Sequence, residues 1–82
     1  MNTNNNVVDK FLSHYWIELS EITQRKIKQS GLMIRTSDQI FNQVIEVLQE
    51  NNDSSDENSL REEFKLILKQ IINYWLRIEN QV

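Results

Sequence analysis

Residues 60–78 read LREEFKLILKQIINYWLRI, and the spacing of their apolar residues predicts a long packing surface. The residues that define this surface alternate between intervals of four and three: Leu60, Phe64, Ile67, Ile71, Tyr74 and Ile78. Such intervals place side chains on one face of an α-helix, as in a coiled-coil contact. Because Leu68, Ile72 and Trp75 widen this face on one flank, the helix is broad enough to contact two neighbours.

An apolar stripe also predicts a first helix over residues 7–29. Its members share one side when the segment is projected at about 100° per residue: Val8, Phe11, Leu12, Tyr15, Leu19 and Ile22. Gly31 is the single glycine of the chain and follows this segment. Glycine adopts the left-handed backbone that ends many helices without a steric penalty, so the first helix is predicted to stop directly before Gly31.

The second helix has both a start signal and a clear stripe. Thr36 and Gln39 have the spacing of a capping box, in which each side chain accepts a hydrogen bond from the backbone of the other residue. Residues 37–50 then divide between an apolar face and a polar face. The capping-box spacing recurs at Ser59, ahead of the third helix, which is predicted over residues 60–79.

The chain is predicted to be an all-α domain, a small three-helix bundle with up-down-up topology. It has 82 residues with no proline and no cysteine, so long segments are free to be helical and stability depends on apolar packing. Residues 1–6 are predicted to form a disordered tail ahead of a single domain at 7–80. Residues 51–58 are polar and acidic and predict an exposed loop. Since the apolar stretches are too short to span a membrane, we expect a cytoplasmic protein without membrane contacts.

Each tryptophan directly follows a tyrosine, as Tyr15-Trp16 and Tyr74-Trp75. Tyr15 and Trp75 lie within apolar stripes and are predicted to pack in the core, with the phenol hydroxyl or indole N–H reaching solvent. Trp16 and Tyr74 lie at the edges of their stripes. The repeated dipeptide therefore holds different positions in its two helices and does not indicate a site used twice.

Several apolar residues lie off these stripes and predict a binding partner. Trp16 and Ile27 extend one flank of the first helix, while Leu66 and Leu76 lie off the main face of the third. Surplus apolar surface on a small protein commonly marks a contact with another molecule. We therefore predict a non-enzymatic interaction or assembly module that docks these helix edges on a protein partner or on a second copy, as a homo-oligomer. The alternative is a compact monomer whose bundle buries these residues.

The uneven distribution of charge leaves other functions open. Residues 22–37 contain four cations and no acid, whereas residues 46–63 contain seven acids and one cation. One hypothesis is a small helical subunit of a nucleoprotein complex, for example a bacterial RNA-guided effector. The residues that would contact the nucleic-acid backbone are Arg25, Lys26, Lys28, Arg35, Arg61, Lys65 and Lys69. Another is an acidic inhibitor or antitoxin that presents residues 46–63 to a basic target. The structural interpretation of the cations is solvated charge near helix ends.

Residues suited to catalysis are few, so we predict no enzymatic activity. His14 is the only histidine, and together with Glu18 it would supply fewer ligands than a zinc site needs. Glu62 and Glu63 are adjacent, and adjacent side chains on a helix diverge by about 100°. The acids at 53–57 lack the glycine and the closing glutamate of a calcium loop. The sequence therefore predicts no catalytic residue, metal, cofactor or small-molecule substrate.

Overall fold

A computed structural model of the chain describes residues 3–50 and 56–81, and of residues 3–6 it describes the backbone alone. The described residues form three α-helices: α1 over Thr3–Ser30, α2 over Ser37–Glu50 and α3 over Glu57–Gln81. Each helix packs against the other two. The predicted all-α three-helix bundle is therefore confirmed.

Two helices begin earlier than predicted. α1 begins at Thr3 rather than at residue 7, so it includes most of the predicted tail, while residues 1 and 2 lie outside the described residues. α3 begins at Glu57 rather than at residue 60. Residues 51–55 of the predicted acidic loop also lie outside the described ranges.

The start of α3 is set by Asp56. The Asp56 carboxylate accepts hydrogen bonds from the backbone N–H of Ser59 and from the Ser59 hydroxyl, both at 3.3 Å. The Asp56 carbonyl accepts the first helical hydrogen bond, from the N–H of Leu60 at 3.0 Å. An aspartate in this position satisfies an N–H group that has no partner within the helix. The prediction of Ser59 as the cap is therefore wrong, because Ser59 already lies in the first turn.

The end of α1 and the start of α2 confirm the local predictions. Gly31 has a φ of +78°, and its N–H donates to the carbonyl of Ile27 at 3.1 Å. Thr36 Oγ1 accepts from the N–H of Gln39 at 3.2 Å, and Gln39 Oε1 accepts from the N–H of Thr36 at 3.0 Å. Each of these features depends on residues within one helical turn, which is why the sequence predicts them well.

The helices run up, down and up, as predicted. Tyr15 in the middle of α1 meets Glu57 at the start of α3, whereas the connection after α1 meets Glu79 near the end of α3. The carboxylate of Glu79 accepts hydrogen bonds from the N–H groups of Met33 and Ile34 at 2.8 and 3.0 Å. α1 and α3 are therefore parallel, and the connection between α1 and α2 is fixed against the end of α3.

The core lies between the three helices. Its largest fully buried apolar side chains include Phe11, Leu19, Ile40, Leu48, Leu60 and Phe64. Thr23 is also fully buried, and its hydroxyl donates to the carbonyl of Leu19 at 2.9 Å. This bond within α1 satisfies the hydroxyl, so Thr23 needs no partner from another helix.

α1 bends at Tyr15, whose φ of −115° and ψ of 18° are not helical. α1 contains no proline or glycine, so the bend lacks the usual sequence cause. It occurs where the Tyr15 side chain contacts α3.

Candidate functional site

A groove of about 550 Å³ lies between the second half of α1 and the middle of α3. Its apolar lining comes from Leu66, Leu68 and Ile72 of α3. The charged residues around this lining are Lys26 of α1 and Glu62, Lys65 and Lys69 of α3. The groove thus combines an apolar surface with three cations and one acid, an arrangement suited to a ligand that is both apolar and acidic.

The groove exists because α3 packs more extensively on α2 than on α1. Where α1 and α3 meet at the start of α3, their contact includes polar groups. The Tyr15 hydroxyl donates to Glu57 Oε1 at 3.1 Å, and Arg61 forms a salt bridge with Glu18. The Arg61 guanidinium also lies over the Tyr15 ring, with 4.6 Å between Cζ and the ring centroid. We call Tyr15, Glu18, Glu57 and Arg61 the clasp, and the groove opens beyond it.

Leu66 is the most exposed apolar residue of the groove. It exposes 55% of its surface, whereas Ile67 and Leu68 expose only 8% and 2%. Three consecutive residues cover about 200° of a helix, which is more than one neighbouring helix occupies. With α2 and α1 covering the other directions, Leu66 is left available for a contact outside the chain.

The four predicted partner residues do not form one surface. Leu66 lines the groove, but Trp16, which is 48% exposed, packs edge-on against Phe41 of α2 with 4.8 Å between ring centroids. Ile27 is only 9% exposed and belongs to the core, and Leu76 is half-buried against that core. The expectation that Ile27 is surplus surface is therefore wrong.

The buried face of α1 shifts in the second half of the helix, and Ile27 belongs to the shifted face. The stripe predicted from a straight helix continues from Leu19 to Ile22, but Ile22 is only half-buried whereas Thr23 is fully buried. Leu19, Thr23 and Ile27 are spaced four residues apart, so they share one face of the second half of α1. This face packs against the core.

The seven cations predicted to contact nucleic acid also separate in the structure. Lys26, Lys65 and Lys69 line the groove. Arg61 belongs to the clasp, where it is engaged by Glu18. The remaining three are Arg25 and Lys28, exposed on α1, and Arg35, half-buried in the connection before α2. They therefore do not form a single basic track.

A smaller depression of about 290 Å³ lies between α2 and the end of α3. Arg35 stacks there on Trp75, with 4.1 Å between Cζ and the ring centroid. The indole N–H of Trp75 donates to Gln43 Oε1 at 3.0 Å, so the expectation that this N–H reaches solvent is wrong. Gln39, Asn42 and Glu46 complete the lining. Sequence reasoning missed this cluster because its members come from different elements.

No clustering of three or more histidine, aspartate or glutamate side chains suited to a metal ion occurs within residues 3–50 and 56–81. None of the helices in these ranges has an apolar stretch long enough to cross a bilayer. Comparison of the chain with protein-family models, curated proteins and solved structures found no match. Functional inference therefore depends on the geometry of the described residues.

Proposed function

We propose that the protein is a non-enzymatic interaction module that binds an acidic amphipathic helix of a partner protein in the groove between α1 and α3. The observation that supports this function is the apolar lining with lysines from both helices around it. A cytoplasmic location is part of the same proposal.

The apolar lining supplies affinity. A helix docked in a groove uses apolar side chains that recur every three or four residues. Its most exposed contact would be Leu66, which has about half of its surface left to bury. Since full burial of a leucine contributes about 1.5–3 kcal/mol, covering the exposed part of Leu66 contributes about 1 kcal/mol.

The lysines supply selectivity. Lys26, Lys65 and Lys69 outnumber Glu62, so an acidic helix is attracted and a basic helix is repelled. Each exposed ion pair contributes less than about 1 kcal/mol and is screened by salt. Charge complementarity therefore acts mainly on partner choice and on the association rate.

An acidic helix fits the groove better than a nucleic-acid strand does. A phosphate backbone would use the lysines but would leave the apolar surface uncovered. Bases would need an aromatic platform for stacking, and the residues that line the groove include no aromatic side chain. Only a ligand with both acidic and apolar groups uses the whole site.

The test uses two helical peptides of about five turns with leucines on one face. One carries glutamates beside the leucines, and the other carries lysines at the same positions. We expect the acidic peptide to bind at least about tenfold more tightly in calorimetry, and to shift the amide NMR signals of Leu66 and Lys69. Equal binding of both peptides would contradict the proposal.

Variants of the protein locate the binding surface. Leu66→Ser should weaken binding of the acidic peptide by about fivefold, and Lys69→Glu, which replaces an attraction by a repulsion, should weaken it by about tenfold. Ile17→Ser is the matched control, because Ile17 is an aliphatic residue of α1 that is 73% exposed and lies outside the groove. If sedimentation shows a dimer that Leu66→Ser dissociates, the occupant of the groove is a second copy and the proposed partner is wrong.

A further inference from the structure

We propose that the depression between α2 and α3 binds a nucleobase, either of a free nucleotide or of single-stranded nucleic acid. This site is separate from the groove and uses different residues: Arg35, Gln39, Asn42, Gln43, Glu46 and Trp75.

The Arg35–Trp75 pair supplies a stacking platform. With Cζ at 4.1 Å from the ring centroid, the indole supports one side of the guanidinium. Arg35 is half-buried, so the pair remains accessible from the depression. Unpaired bases stack on aromatic rings and on guanidinium planes, and such stacking tolerates a range of base identities.

The amide side chains of Gln39 and Gln43 supply hydrogen-bond donors. Gln39 Oε1 accepts from the N–H of Thr36, and Gln43 Oε1 accepts from the indole N–H of Trp75. With both oxygens engaged, the two amide nitrogens remain as donors to a ligand. These donors are held in place because helix capping and helix packing fix the opposite end of each amide.

The remaining polar groups complement a base rather than a phosphate. Asn42 offers a donor and an acceptor, and the Glu46 carboxylate accepts from an amino or imino group. Arg35 and Glu46 carry opposite charges, so the lining has no net positive charge that would hold a phosphate. Guanine matches this set best, because its O6 and N7 accept while its amino group donates.

Fluorescence of Trp75 reports binding directly. The chain has two tryptophans, so Trp16→Phe leaves Trp75 as the only indole and retains an aromatic ring against Phe41. This variant is titrated with GMP, AMP, CMP and UMP, then with a short single-stranded RNA of mixed sequence and its abasic counterpart. We expect saturable changes, strongest for GMP among the mononucleotides, and no change with the abasic strand.

The same titrations show whether the site binds the base of a free nucleotide or of single-stranded nucleic acid. Tighter binding of the intact strand than of GMP assigns the site to single-stranded nucleic acid, and binding of GMP alone assigns it to a free nucleotide. Equal responses to the intact and abasic strands would overturn the proposal, as would no response to any of these ligands.

Substitutions test the platform and the hydrogen bonds separately. Asn42→Ala changes an exposed side chain and should weaken GMP binding by about tenfold, as should Arg35→Ala. Arg35→Lys should not restore binding, because an ammonium group has no plane on which a base can stack. Arg25→Ala, which removes an exposed arginine of α1, should leave binding unchanged.

Unchanged GMP binding in Asn42→Ala would contradict the assigned site. This test holds even if Arg35→Ala perturbs the fold. Lys69→Glu, which tests the groove, should leave the response to GMP intact. Failure of one site is therefore distinguishable from failure of the other.

Discussion

The two edges of α3 are covered in different ways. Toward α2, Phe64 packs edge-on against Phe41 with 6.0 Å between ring centroids, and Trp75 donates to Gln43. Toward α1, the helix is held by the clasp at its start and then lines the open groove. The same helix thus completes the core on one edge and lines an open groove on the other.

This difference follows from how the apolar residues of α3 are distributed. The run Leu66-Ile67-Leu68 spreads around the helix, and only Ile67 and Leu68 are covered. Because the three-helix bundle covers only part of this spread, Leu66 remains exposed. We expect substitutions on the two edges to differ accordingly, with large losses of stability on one and small losses on the other.

The largest expected effect is at the α2-facing edge, where Phe64→Ala should reduce the free energy of unfolding by about 3–5 kcal/mol. Phe64 is fully buried, so its removal leaves a cavity between the helices. Urea denaturation followed by circular dichroism measures the loss. Leu66→Ala is the control two residues away and should cost less than about 1 kcal/mol. Similar losses in both variants would show that the two edges do not differ.

A smaller loss of stability is expected at Gly31, where the chain turns from α1 into the connection to α2. Gly31→Ala should cost about 1–2 kcal/mol, because alanine is disfavoured at a φ of +78°. A Cβ at this position meets no atom within 4 Å, so the cost is conformational and not steric crowding. Gly31→Asn should cost less, since asparagine adopts this region more readily. Equal losses for the two variants in urea denaturation would contradict this explanation.

The start of α3 is the next test. Asp56→Ala should lower stability by about 1 kcal/mol, because it removes the acceptor for the N–H of Ser59. Ser59→Ala should change stability by less than about 0.5 kcal/mol, since Ser59 is exposed in the first turn. Thermal unfolding of both variants decides between the cap found in the structure and the cap predicted from the sequence. A larger loss in Ser59→Ala would favour the sequence-based assignment.

The sequence predicts features that depend on neighbouring residues and fails where distant residues decide. Gly31 and the pair Thr36–Gln39 act within one turn, and all three are confirmed. The burial of Ile27 depends on where the other helices pack against α1, which a helical projection does not include. The groove and the Arg35–Trp75 pair were not predicted either, because both require the relative placement of helices that periodicity does not determine.

The smallest expected effect belongs to the clasp. Glu18→Gln and Arg61→Met are combined in a double-mutant cycle, and their coupling energy should be about 0.5–1 kcal/mol. Both side chains are partly exposed, so their attraction is weakened by water and should decrease further at high salt. Arg61→Met alone should cost more than Glu18→Gln, because it also removes the cation over the Tyr15 ring.

Tyr15→Phe is the matched control for the clasp, since it keeps the ring under Arg61 and removes only the hydroxyl that donates to Glu57. It should leave the Glu18–Arg61 coupling energy within about 0.5 kcal/mol of its original value. A coupling energy above about 2 kcal/mol that persists at high salt would mean that the clasp is a desolvated ion pair. The α1-facing edge would then be fixed as firmly as the α2-facing edge, and a groove that admits a partner helix would have to open against that constraint.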